Sequence, residues 1–136
     1  MQVILAKNPA GLNEVLRTIT ADGRKVDVAV FLNDDIADGR DVSWIWDADF
    51  EMLTGRVRSL VLSGTRAEDL ALRLKYAGLP KPAAVTPDAR RALSLALEAL
   101  PAGERLYVVP TYTAMLRVRE LLARMGGRAH FWEESA

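Results

Sequence analysis

The chain has 136 residues, half of them hydrophobic, enough for one domain whose core needs neither disulfides nor metal. Eighteen Lys and Arg balance eighteen Asp and Glu, so no net field recruits nucleic acid or an anionic membrane. The absence of cysteine excludes a disulfide framework, a thiolate zinc site and a cysteine nucleophile, and it suits a reducing compartment. The N-terminus has no basic region leading into a long apolar run, and no apolar segment approaches the ~20 residues that span a bilayer. A soluble cytoplasmic domain, not transmembrane, is expected.

Gln2 to Ala6 reads as a short apolar strand. Asn8 suits an N-cap and Pro9 the first helical position, and Leu12, Val15, Leu16 and Ile19 follow helical spacing up to Thr20. Val26 to Leu32 is a second strand, apolar on both faces in its middle, as in a covered parallel sheet. Asp49 to Leu53 reads as a short helix and Arg58 to Ser63 as a third strand. Thr65 with Glu68 has capping-box spacing for a helix carrying Leu70, Leu72, Leu74 and Tyr76, stopped at Gly78. Ala83 to Val85 is a short fourth strand, and Pro87 opens a helix to Leu100 with Ala92, Leu93, Ala96, Leu97 and Leu100 on one face. Leu106 to Val109 is the last predicted strand. Thr111 or Thr113 caps a final helix to Met125, ended by Gly126-Gly127. The tail from Arg128 is polar apart from Phe131 and Trp132 and has no assigned role. The alternation predicts a single α/β domain over 1–136, Rossmann-like, with a mostly parallel sheet of about five strands and helices on both faces.

The distinctive stretch is Asn33 to Phe50, N-D-D-I-A-D-G-R-D-V-S-W-I-W-D-A-D-F. Six of its eighteen residues are Asp, and short carboxylates compete for nearby backbone amides, so neither helix nor strand is favoured. A long acidic loop after a strand, pinned by aromatics, is where an α/β domain keeps its chemistry. An EF-hand fails, because Ile36 and Ile45 fall where oxygen ligands belong; magnesium on one or two carboxylates stays open. The Gly-rich dinucleotide fingerprint and the phosphate loop ending in Gly-Lys-Ser/Thr are both absent. An Asp can also orient a histidine and stabilise its imidazolium. His130 is the sole histidine, with no nucleophile signalled beside it, so such a histidine would belong to a partner. The bland readings are that Asp38-Gly39 is a turn, Asp41 bonds local backbone, and Trp44, Trp46 and Phe50 pack the core. Ser63 to Arg66 and Pro110 to Thr113 end strands, at the ligand edge of such a sheet, and otherwise cap helices.

The segments L-A-K-N-P-A-G (5–11), L-N-D-D-I-A-D-G-R-D-V-S-W-I-W-D-A-D-F (32–50), S-G-T-R-A-E-D-L-A-L-R-L-K (63–75) and P-T-Y-T (110–113) resemble the MurT ligase C-terminal domain family. The resemblance covers nearly the whole chain. It implies a domain of the ligase subunit of a glutamine-dependent amidating enzyme that converts the D-glutamate α-carboxyl of the lipid II stem peptide to D-isoglutamine. It implies a heterodimer with a GatD-like glutaminase that uses its own cysteine and histidine. In this family the ligase subunit lends the third triad member from D-G-R-D-x-S-W, which places that role on Asp41. Asp38, Gly39, Arg40, Ser43 and Trp44 are then candidate partner contacts. Lys7, Asn8, Thr111 and Tyr112 are candidate nucleotide- or substrate-lining residues, and no residue is assigned to a metal. ATP and Mg2+ are implied for a full-length enzyme working at the inner face of the membrane. The ATP-binding domain and cysteine zinc ribbon of that family are not in these residues, so this domain alone is expected to be inactive and to hold no cofactor. The rival readings are a non-catalytic Rossmann-like nucleotide-binding module and a pure interaction module anchored by Trp44 and Trp46.

Overall fold

A computed structural model describes residues 1–125 and the strand at 133–135. The expected helix stop at Gly126-Gly127, His130, and Phe131 and Trp132 lie outside the described residues. The first strand, β1 (Gln2–Ile4), leads through Asn8 into α1 (Pro9–Thr20), where the Asn8 side chain accepts from Gly11 N at 2.7 Å. Then come β2 (Val26–Phe31), 3-10 turns at Ile36–Asp38, Ser43–Trp46 and Phe50–Leu53, and β3 (Val57–Ser63). The expected helix over 49–53 is thus the last of these tighter turns. It is followed by α2 (Ala67–Tyr76), β4 (Ala84–Thr86), α3 (Ala89–Ala99), β5 (Leu106–Pro110), α4 (Tyr112–Arg124) and β6 (Glu133–Ser135).

The sheet has the order β4-β3-β2-β5-β1-β6, and every pair is parallel. The α/β expectation holds, and the additional strand β6 pairs with the outer side of β1. In β2, Val28 and Val30 face one layer and Ala29 and Phe31 the other, so the apolar run of the sequence serves two cores. The first core gathers α1 (Leu12, Leu16, Ile19), α2 (Leu70, Leu74) and the loop (Ile45, Phe50, Leu53). The second gathers α3 (Leu93, Ala96) and α4 (Met115, Val118, Leu122). From β1 through β4 the chain steps toward one sheet edge under the first layer. From β4 through β6 it steps back under the second. Right-handed crossovers require this exchange of faces when the direction reverses. Among the described residues no helix is long and apolar enough to cross a membrane.

Two expected helix starts are corrected. Thr65 does not cap α2; the residue before the helix is Arg66, without a side-chain cap bond. The reason is Gly64, whose φ of 99° turns the chain back onto Leu32, so that Thr65 Oγ1 meets Asp34 instead. Pro87 likewise precedes α3 rather than opening it, and Asp88 caps the helix by accepting from Arg90 N at 3.0 Å and Arg91 N at 3.2 Å. In α2 the buried stripe is Ala67, Leu70, Arg73 and Leu74, while Leu72 and Tyr76 are exposed.

A side chain on Gly64 would overlap the Leu32 carbonyl oxygen and would also hold a left-handed backbone. Gly64→Ala is expected to cost about 3 kcal/mol or more, read as a lower urea midpoint with an unchanged slope.

Candidate functional site

The C-terminal ends of β2, β3 and β5 lie side by side, with Phe31 opposite both Ser63 and Pro110. The loop after β2 packs on one face of the sheet, and the helix after β5 packs on the other. A crevice at such a reversal is the usual ligand position of an open α/β sheet. Here the chain's own polar groups stitch it together. Asn33 N donates to Thr111 Oγ1 at 3.0 Å, Asn33 Nδ2 to Thr113 Oγ1 at 2.9 Å, and Thr65 N to Asn33 Oδ1 at 2.9 Å. Asp38 enters from above: its Oδ1 accepts from Thr113 N at 2.8 Å, and its Oδ2 accepts from Thr113 Oγ1 and Asp35 N. A carboxylate therefore sits on the Thr113 amide in the first turn of α4, where the helix end favours negative charge. Thr111, at the N-cap position, spends its hydroxyl on Asn33.

Beside this network, Arg66 binds Asp34 at 3.1 Å and Asp69 at 2.7 Å. These bonds hold the Asp34 and Asp69 carboxyls below their ordinary range, each with the Arg66 hydrogen bond as the leading cause. Gly39, at φ 89°, then turns the chain outward into Arg40 and Asp41. Asp41 is exposed, and its Oδ1 accepts from Ser43 N at 2.9 Å. That backbone bond, helped by the Ser43 hydroxyl and the Arg66 charge, outweighs slight burial and keeps the Asp41 carboxyl below the usual carboxylate range. Asp41 lines an open groove of about 190 Å3 with Arg40, Ser43, Trp46, Arg66 and Asp69.

The sequence-predicted partner contacts separate. Arg40 and Ser43 share the groove with Asp41. The Asp38 carboxylate is committed to Thr113, and Trp44 is half-buried against the core. Trp46 is the aromatic presented outward, 45% exposed, with Tyr76 edge-on at 5.6 Å. Lys7 and Asn8, both exposed, follow β1 and line a different groove of about 470 Å3 with Gly11, Glu14 and Thr18. Thr111 is buried and Tyr112 is 43% exposed at the end of the neighbouring β5, where Ala6 N donates to Pro110 O at 3.0 Å. These four share the C-terminal sheet edge but do not line the Asp41 groove. Among the described residues no group of three or more acidic or histidine side chains could hold a metal ion.

Sequence reasoning passed over Arg73. It is 4% exposed, and its guanidinium carbon stands 5.5 Å from the ring centroids of both Trp46 and Phe50. Nε donates to Ile45 O at 2.9 Å and Nη2 to Ala48 O at 2.7 Å, while Nη1 and Nη2 meet Glu51 at 3.1 and 2.8 Å. Its signal was positional: a cation at helical spacing between Leu70 and Leu74, on a stripe that should be apolar.

The Arg73 hydrogen bond is the leading cause that holds the Glu51 carboxyl below its ordinary 4.5. A lowered folded pKa stabilises the fold above 4.5, and that contribution is lost as pH falls through the lower folded value. Glu51→Gln is therefore expected to lose less stability than the parent between pH 5 and pH 3, as followed by chemical unfolding at each pH.

Residues 5–115 match the family model described as MurT ligase C-terminal. Two relatives from Staphylococcus aureus, strains COL and N315, are each 42% identical over 122 residues, covering 88% of this chain. A third, from Streptococcus pneumoniae strain ATCC BAA-255 / R6, is 35% identical over 122 residues, covering 89%. All three are named lipid II isoglutaminyl synthase (glutamine-hydrolyzing) subunit MurT, and the chain spans only 27% of their length. With a long acidic loop on an all-parallel sheet and a family match across most of its length, the chain belongs to the MurT ligase C-terminal family.

Proposed function

We propose that this chain is the C-terminal domain of the ligase subunit of a glutamine-dependent, ATP-consuming amidating enzyme. The whole enzyme would convert the D-glutamate α-carboxyl of the lipid II stem peptide to D-isoglutamine at the cytoplasmic face of the membrane. This domain docks a GatD-like glutaminase and lends it the Asp41 carboxylate. The observation that carries the reading is the placement of Asp41: exposed, kept ionised, and held at one oxygen by the Ser43 amide. A charge held outward in this way serves a group that arrives from outside its own chain. The relatives' names support it, since each is a subunit of a glutamine-hydrolysing synthase.

The chemistry follows from the charge. An incoming imidazole donates one N–H to Asp41, which sets its tautomer and leaves the other nitrogen to take a proton from the partner's cysteine thiol. The thiolate attacks the glutamine carboxamide carbon. As the C–N bond breaks, the imidazolium returns the proton to the leaving nitrogen, and ammonia departs. Water then hydrolyses the thioester to glutamate. Asp41 keeps its negative charge throughout and stabilises the imidazolium while it exists. Arg40 and Ser43, beside it in the groove, and the outward Trp46 form the contact surface.

ATP, with Mg2+, would activate the D-glutamate α-carboxyl toward ammonia. Lys7 and Tyr112, solvent-facing at the sheet's ligand edge, are the groups here that would meet nucleotide or acceptor.

Asp41→Asn keeps the shape and the Ser43 bond but removes the charge. In the assembled two-subunit enzyme, glutamine hydrolysis is expected to fall by roughly 10^3- to 10^4-fold while the complex still forms. Unchanged hydrolysis would take Asp41 out of the mechanism.

A further inference from the structure

We infer that Arg73 is a positioning residue for Asp41: from beneath the acidic loop, its guanidinium sets where that carboxylate stands. The inference rests on the reading that Asp41 is lent to a partner's imidazole.

Asp41 is exposed and borrows its position from its neighbours. Upstream, the loop is tied to α4 through Asp38 and Thr113. Downstream, Asp41 Oδ1 takes the amide of Ser43, the first residue of the Ser43–Trp46 turn. That turn is short, with Ile45 N bonded to Val42 O at 3.2 Å and Asp47 N to Trp44 O at 3.0 Å. So short a run of 3-10 helix has little stiffness of its own. Buried Ile45 packs the turn into the core shared with Leu70 and Leu74 of α2, and Arg73 supplies its polar ties to that helix, through the carbonyl of Ile45 inside the turn, the carbonyl of Ala48 after it, and Glu51 at the next turn.

The geometry needs a guanidinium. Acceptors on three loop residues spaced three apart, Ile45, Ala48 and Glu51, are met by one rigid planar fork, with two aromatic rings 5.5 Å from its carbon. A lysine ammonium keeps the charge but is a point donor and cannot span all three. The loop would then shift by a fraction of the distance that separates productive from unproductive contact. A displacement of ~1 Å at a reacting group costs on the order of 10^2-fold in rate.

The test is a double-mutant cycle on glutamine hydrolysis in the assembled enzyme, with Arg73→Lys, Asp41→Asn and both together. Arg73→Lys is expected to lower kcat by roughly 10- to 100-fold with little change in the KM for glutamine. Added to Asp41→Asn it is expected to cause no further loss, because the displaced group has already lost its charge. An equal loss in both backgrounds, or full kcat for Arg73→Lys, overturns the role of Arg73 and leaves the lent carboxylate standing. Hydrolysis unaffected by Asp41→Asn overturns the lent carboxylate and this inference with it. If Arg73→Lys does not fold, Arg73→Gln takes its place: it brings no buried charge, the half-exposed Glu51 left behind can be solvated, and one amide cannot meet both carbonyls. A loss of kcat in the Asp41 background that vanishes in Asp41→Asn supports the inference. No loss, or the same loss in both, overturns it.

Discussion

A single buried guanidinium ties the long irregular loop between β2 and β3, whose Ile45, Phe50 and Leu53 also enter the core, to the helix α2. Between β2 and β3 the chain runs through three 3-10 turns and no longer helix or strand. Such a segment satisfies few of its own carbonyls, and a carbonyl buried without a partner costs about 1–3 kcal/mol. Arg73 meets two of them, and Glu51 neutralises the charge it brings under the loop. Removing a charge from water is expensive unless it is paired and hydrogen-bonded, and here Glu51 and the two carbonyls take four hydrogen bonds from the guanidinium. The rings of Trp46 and Phe50, each 5.5 Å from the guanidinium carbon, add cation–π attraction.

The same loop is tied at its other end to the strand termini. Asn33 reaches the turns after β3 and β5 at once, and Asp38 places its carboxylate on the Thr113 amide in the first turn of α4. In an open parallel sheet this crevice is the default place for an anionic ligand. Here a carboxylate of the chain already lies there. The position that binds a ligand in many folds of this architecture serves in this one as an anchor for a loop. The charged group left over by that arrangement, Asp41, points outward from a backbone fastened on both sides. The function proposed at Asp41 thus draws on residues far apart in sequence: Thr113 on α4, Arg66 just before α2 and Arg73 on it.

Much of this was legible before any fold was in view. The helical spacing of Leu12, Val15, Leu16 and Ile19, the Asn8-Pro9 start and the unbroken apolar run of β2 each have a local cause, and each appears as read. The crowding of Asp in residues 33–50 correctly marked a loop, since short acidic side chains prefer to bond nearby amides, as Asp41 does with Ser43. Local reasoning went astray where a side chain had two available partners. Thr65 carries the spacing of a cap, yet Gly64 turns it toward Asp34. Trp44 and Trp46 are two residues apart and equivalent by composition, yet one packs inward and the other faces out.

Local patterns in the chain were sufficient for the class of fold, the helices α1 to α4, the parallel sheet and the acidic loop. These depend on periodicity and on backbone preference, which act over a few residues. Which Asp is exposed and which is spent on α4, which Trp faces solvent, and what keeps the loop in place depended on contacts between distant segments. Arg73 and Ile45 are 28 residues apart, and Asp38 and Thr113 are 75 apart. No pattern within a helical turn records such pairings, because their geometry exists only once the sheet has brought α2 and α4 to the same edge.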